Sequence, residues 1–238
     1  MHFQEEIIRY LNGEAFSSGA KIQLNINSPL RHRDNVLQAA VAGKKVLHIG
    51  FVDHLPVIDE KIKRGIWLHQ KLIDSASLCV GIDINQKGIK HLKENHQIGN
   101  IYCLDILRDE LPEELSNNRF DIILLPDVIE HIPNPQNFLN GLRAKLGNLC
   151  DQIIITTPNA FRLENFLNNL IRKEVINSDH RFWFTPFTIS KILYDSGFSI
   201  KHMDYCQHGR YGLRKLIQKI LVKVFPTFRD TLVVQARL

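Results

Sequence analysis

The stretch Lys44–Pro56, KKVLHIGFVDHLP, decides how the chain is read. A run of apolar, β-type residues ends at Gly50. The turn after it carries Val52, Asp53 and His54 where a phosphate-binding turn would carry further glycines. A dinucleotide needs those glycines, because its pyrophosphate must approach the backbone closely at a helix N-terminus. A turn that keeps only Gly50 suits a ligand without phosphate.

Working outward, further β-type runs stand at LCVGIDI, NIYCLDI, RFDIILL and DQIIITT, and between them lie QKGIKHLKENHQ and NPQNFLNGLRAKLG. The two longer segments have apolar residues three and four apart, and the second opens at Pro135 and stops at Gly147. Short strands alternating with helices predict βαβ units and a doubly wound, mostly parallel α/β sheet. In such a sheet a ligand sits beyond the carboxyl ends of the strands. Those ends supply Gly50–His54, then Asp83, then Asp105, then PDVIEHIPNP from Pro126, so acids follow three consecutive strands. Beyond Thr157 the rhythm changes to PNAFRLENFLNNLIRKE and TPFTISKILYDSGF, a strand SIKHMDYC, a basic segment and a last strand TLVVQARL.

With 238 residues and 44% hydrophobic content, the chain is long enough to bury one sizeable core. A net charge of +5, with no block of like charges, makes nucleic acid the less favoured partner. Cys79, Cys103, Cys150 and Cys206 have neither zinc nor redox spacing and are expected to be reduced core residues. No segment has the pattern of a cleaved leader or a spanning helix, which leads to the expectation of a cytoplasmic protein.

In order and spacing these motifs resemble the class I S-adenosylmethionine-dependent methyltransferases, over roughly Lys44 to Phe198, and within them the ubiquinone-type, small-molecule and sugar branch. VLHIG stands where that family has VLDxG, with His48 in place of the acid. LCVGIDIN, CLDIL, FDIILLPDVIEHIPNP, IIITTPN and HRFWFTPFTISKILYDSGF match its later motifs. The resemblance implies a seven-stranded Rossmann-like sheet with an antiparallel last strand. It divides a single domain into an N-terminal helical cap (1–43), a cofactor-binding core (44–157) and substrate-side helices with the last two strands (158–238). It implies S-adenosylmethionine as cofactor and S-adenosylhomocysteine as product. Gly50, Phe51, Asp53 and His54 would cradle the methionyl end, Asp83 with Ile84 would meet the ribose, and Asp105 with Ile106 the adenine. Pro126 and Asp127 complete the cofactor set. The 33 residues from Gly50 to Asp83 exceed the ~20 of a compact unit, and the surplus includes the WLH of Trp67, Leu68 and His69. A looser likeness of GFVDH and WLH points to surface-polysaccharide synthesis.

For chemistry, the resemblance makes His131 and His180 the candidate bases for a hydroxyl acceptor. A structural hydrogen bond is the alternative for His131, and an apolar lid edge for His180. Asp127, Glu130 and His131 resemble a set that holds a divalent cation in ubiquinone-type relatives, although sequence neighbours seldom both face one metal, and no metal is the favoured reading. Arg31 and Arg33 are expected at a solvated helix start, with pairing to a carboxylate as the alternative, and Trp67 and His69 are expected in the core. His2, His32, His91, His96, His202 and His208 are expected at the surface.

The expected function is methylation of oxygen, less so nitrogen, on a small molecule or glycan, a lipid-linked sugar being preferred. A catalytically inactive binding module is one alternative. Nucleic-acid methylation is another, but it would favour an Asn/Asp-Pro-Pro-aromatic motif where PDVIEH stands. GLRKLIQKILVKVFP places Leu213, Leu216, Ile217, Ile220, Leu221, Val224 and Phe225 on one helical stripe, with Arg214, Lys215, Lys219 and Lys223 away from it. That stripe either packs on the sheet or gives a peripheral membrane contact through 211–225, at the inner face of the membrane.

Overall fold

The computed structural model describes residues 3–24, 28–209 and 216–238. Its elements are, in order, Glu5–Leu11 (α1), Arg33–Val41 (α2), Lys45–Ile49 (β1), Leu55–Lys63 (α3), Leu68–Ser75 (α4), Leu78–Asp83 (β2), Gln86–His96 (α5) and Ile101–Cys103 (β3). Then come Glu113–Ser116 (α6), Ile122–Pro126 (β4), Pro135–Leu146 (α7), Gln152–Pro158 (β5), Leu163–Leu170 (α8), Pro186–Asp195 (α9), Ser199–Cys206 (β6), Leu216–Val224 (α10) and Thr231–Arg237 (β7). Short 3-10 turns lie at Ile129–His131 and Pro226–Phe228.

The sheet has the order β3-β2-β1-β4-β5-β7-β6. Only β7 runs antiparallel to its neighbours, β5 and β6. The expected seven-stranded, mostly parallel sheet is therefore present. Alternation along β1 explains its burial on both faces. Leu47 and Ile49 face a large core with Ile123, Leu125, Ile153 and Ile155, covered by Leu139 and Leu142 of α7 and Ile189 and Leu193 of α9. Val46 faces the other way, with Ile122, Leu124 and Ile154, beneath Leu37 and Val41 of α2 and Leu72 of α4. Each such side chain contributes about 1.5–3 kcal/mol on burial.

Residues beyond those of a compact unit between Gly50 and Asp83 form two helices instead of one, α3 and α4, joined through Gly65 at φ +62°. β3 stops sooner than NIYCLDI suggests. Asp105 accepts from the Leu107 N–H while its own N–H donates to Asp109 Oδ2, so the chain closes into a turn. In the first 43 residues α1 lies against α9, whose Lys191 Nζ donates to the Leu11 carbonyl, whereas α2 packs on α4. Cys79, Cys150 and Cys206 are buried free thiols, but Cys103 is exposed, because short β3 is an edge strand.

Candidate active site

Chain reversal after β1 is made at Gly50, whose φ of +74° lies in the left-handed region. An added Cβ would come 2.3 Å from Val128 Cγ2, so glycine is required both for the turn and for close approach. The loop beyond it is held from beneath. Asp83 Oδ2 accepts from the Val52 N–H and Oδ1 from the Asn85 N–H, both at 2.9 Å. Burial raises the Asp83 carboxyl, and those amides work against the rise. Asn85 caps α5, since its Oδ1 takes the Gly88 N–H.

Between this loop and the end of β4 opens a cleft of about 680 Å³. Gly50, Phe51, Asp53, His54, Pro126, Asp127, Glu130, His131 and His180 all line it. Asp53 also accepts from Lys61 Nζ at 2.6 Å. Ile84, 74% exposed, lies beside β3, with its carbonyl 3.9 Å from Cys103 Sγ. Asp105, at the end of β3, pairs with Arg108 at 3.5 Å, and Ile106 is buried in the core.

Residues that the sequence placed elsewhere also converge on the cleft. Arg33 is buried, not solvated. Its guanidinium pairs with Asp127 and with Asp34, the latter at 3.1 Å, and Asp34 also takes Lys71 Nζ at 2.7 Å. Burial alone would raise the Asp34 carboxyl, but His208, Arg33 and Lys71 hold it far below the usual range. His32 and His208 line the cleft as well, the latter exposed as expected of a surface residue. Arg31 instead pairs with Asp204. His91 and His96 share Asp59 Oδ1, each at 2.7 Å, away from the cleft. His2 lies outside the described residues.

Asp127 has φ +54°, a costly conformation for a residue with a side chain. Arg33 and Thr156 Oγ1, the latter at 2.8 Å, hold it there. The candidate cation set weighed from the sequence, Asp127 with Glu130 and His131, is not the one that converges: donor atoms of Glu130, His131 and His180 lie within 4.8 Å of one another. The His131 and His180 rings meet edge to face at 4.6 Å. His131 Nδ1 lies 3.2 Å from the Asp179 carbonyl, which can only accept, so Nδ1 carries the proton and the Nε2 lone pair is left for a ligand. Burial, then the neighbouring Asp127 carboxylate, push Glu130 up to about 8.

His48, in place of the customary acid, points to the α2 and α4 side of the sheet. Its Nδ1 meets Nδ1 of His69 at 3.0 Å. Trp67 and His69 are both buried, as expected for the WLH helix. His48 Nε2 and Trp67 Nε1 are buried without a protein partner, and both residues line the cleft. These are donor and acceptor positions open to a ligand in the cleft.

A sequence family described as methyltransferase domain matches residues 64–203, more than half of the chain. The chain belongs to that family. A search of curated proteins returns no match. Among solved structures, the small RNA methyltransferase HEN1 superposes with TM-score 0.55 and 18% identity, over 90% of this chain and 26% of that one. The chain thus spans about a quarter of that protein. An S-adenosylmethionine-dependent methyltransferase from Aquifex aeolicus gives 0.53 and 13%, over 87% and 89% of the two chains. Another from Mesorhizobium loti gives 0.50 and 16%, over 85% and 96%. At these identities the likeness is one of fold.

The methyltransferase takes its methyl group from S-adenosylmethionine, and its residues fit that cofactor. The Asp83 carboxylate is held by backbone amides and no cation, which would leave lone pairs for ribose hydroxyls. The Gly50 turn would admit the methionyl part, and the unpartnered His48 and Trp67 nitrogens would offer it polar contacts. When bound, the cofactor supplies a methyl on a cationic sulfur that leaves as a neutral thioether.

The titratable groups set a stability optimum. Burial holds His48 well below its ordinary value and His69 at about 3, so both are neutral when folded. Their contribution is complete above the unfolded value of ~6.5 and is lost as pH falls below it, by up to about 1.4 kcal/mol per pH unit for each. Glu130 acts in the opposite sense, because its folded value lies above its unfolded one. Its contribution is complete at low pH and is lost as pH rises towards 8. Thermal melting across pH should therefore peak near neutrality, with His69→Phe flattening the acid limb and Glu130→Gln the alkaline limb. Unchanged limbs in both variants would contradict these assignments.

Proposed function

We propose that this methyltransferase acts on a hydroxyl oxygen of a small molecule or glycan, with His131 as the base. The observation that carries this reading is the locked tautomer of His131, whose Nδ1–H is committed to the Asp179 carbonyl. An acceptor hydroxyl then meets the Nε2 side of that ring beside the end of β4. Burial, and next to it the His131 ring, lower His180, so the pair does not become two facing cations at neutral pH. Arg181 straps this region down, its N–H donating to the Glu130 carbonyl at 2.8 Å and its guanidinium to the His131 carbonyl at 2.6 Å. Alignment of the acceptor with the methyl group supplies the larger part of the rate.

A second reading is favoured by one observation: donor atoms of Glu130, His131 and His180 cluster within 4.8 Å, and Glu130 Oε1 and His180 Nδ1 are buried without a protein partner. Two imidazoles and a carboxylate suit a divalent cation, which would acidify an acceptor hydroxyl. Glu130 would have to lose its proton, so affinity for such an ion should increase with pH up to about 8. Calorimetry with Mn²⁺ at two pH values decides this: no binding at either leaves the metal-free base as the mechanism.

Two outcomes test the main reading. By calorimetry S-adenosylmethionine binds the wild type, and Asp83→Ala weakens binding by about 1.5–3 kcal/mol through lost charge-assisted hydrogen bonds. Unchanged affinity in that variant would remove Asp83 from the cofactor site. His131→Ala lowers kcat by roughly 10²–10⁴ while leaving cofactor affinity within a few-fold. Equal losses in both would make His131 a structural residue.

A further inference from the structure

Leu213, Arg214 and Lys215 lie outside the described residues, and most of the stripe from Leu216 onward is exposed. Val222 is the one residue of this helix that is buried, and its carbonyl accepts from Nε of the buried Arg229 at 3.2 Å, which fixes which side of α10 faces the protein. On the other side Ile217 is 75% exposed, and Leu216, Ile220 and Val224 are more than half exposed among the described residues. Phe225 continues this surface to the turn after α10, where its ring meets Phe228 at 5.7 Å, and Phe228 stacks on Phe166 of α8 at 6.3 Å. At the end of α8, Leu170 and the next residue, Ile171, are exposed as well. Two helices thus share one continuous apolar face. Soluble proteins seldom leave such a face to water without a partner.

Charge identifies the partner. The described residues of α10 include Lys219 and Lys223 and no acid, and both lysines are exposed. Arg172 and Lys173 border the groove that Phe166 and Phe228 line, where Glu174 is the sole acid. Apolar and aromatic side chains rimmed by cations match the interface of an anionic bilayer, where apolar groups reach the acyl boundary and cations meet the headgroups. The groove, of about 910 Å³, extends to Trp183, and the Trp183 ring lies 6.3 Å from that of His180 at the cleft.

We propose that α10 and the end of α8 form a docking face for an anionic membrane surface, with Trp183 between that face and the active site. Docking is independent of methyl transfer, so it can fail without affecting the catalytic reading. The test is cosedimentation at low salt with vesicles of phosphatidylcholine and phosphatidylglycerol, against phosphatidylcholine alone. The wild type should sediment with the mixed vesicles only. Each cation near such a surface is worth about five-fold in affinity, so Lys219→Glu with Lys223→Glu should lower binding at least thirty-fold. Ile217→Asp with Ile220→Asp should abolish it. Both pairs are exposed, so unchanged circular dichroism and S-adenosylmethionine binding serve as controls. Wild type that stays in solution at low salt overturns the proposal, as does sedimentation that the variants leave intact. Self-association by light scattering that Ile217→Asp disrupts, without vesicle binding, would assign the face to a second copy of the chain instead.

Discussion

A buried guanidinium needs partners for its charge and its donors, and Arg33 at the start of α2 is buried against two carboxylates. Its partners come from different parts of the chain. Asp34 is its neighbour and Asp127 follows β4, while Lys71 of α4 completes the charge balance at Asp34, which His208 after β6 also approaches at 3.7 Å. The floor of the cleft exists because these elements meet there. Removing Arg33 would leave two carboxylates without their main counter-charge at the mouth of the parallel sheet.

That network also sets the chemistry above it. Asp127, held in a left-handed conformation by Arg33 and Thr156, keeps its negative charge. One turn further on, Glu130 is buried with only Thr157 Oγ1 on one oxygen, at 3.0 Å, and the fixed charge of Asp127 adds to burial in keeping its proton on. Two carboxyl groups three residues apart thus take opposite protonation states at neutral pH. The difference comes from partners, not from residue type.

The departure from the usual first motif is compensated locally. Histidine replaces acid at the end of β1, and the longer connection to β2 brings a second histidine, His69, onto it. Phe51 packs over Gly81, where any Cβ would fall 2.8 Å from its ring, and contacts His69 at 4.5 Å. An aromatic and imidazole cluster therefore backs the cofactor loop in place of glycines and a carboxylate. A neutral pair there needs no counter-ion.

The strands, their order along the chain, the Pro135 and Gly147 limits of α7 and the Gly50 turn were all legible in the sequence, because each is set by local periodicity or by one residue's backbone freedom. So were the ends of β1, β2 and β4 as the places to look for a site. The burial of Arg33 was not legible. A polar run before a helix looks solvated until residues 94 and 175 positions away, Asp127 and His208, are brought against it. That His180 rather than Asp127 joins Glu130 and His131 likewise depends on contacts between distant parts of the chain. The stripe on α10 shows the limit most plainly. Periodicity along the chain determined that one face is apolar, but only the packing of the whole molecule decided that most of it lies open, since coverage depends on what else reaches that surface and not on the helix itself.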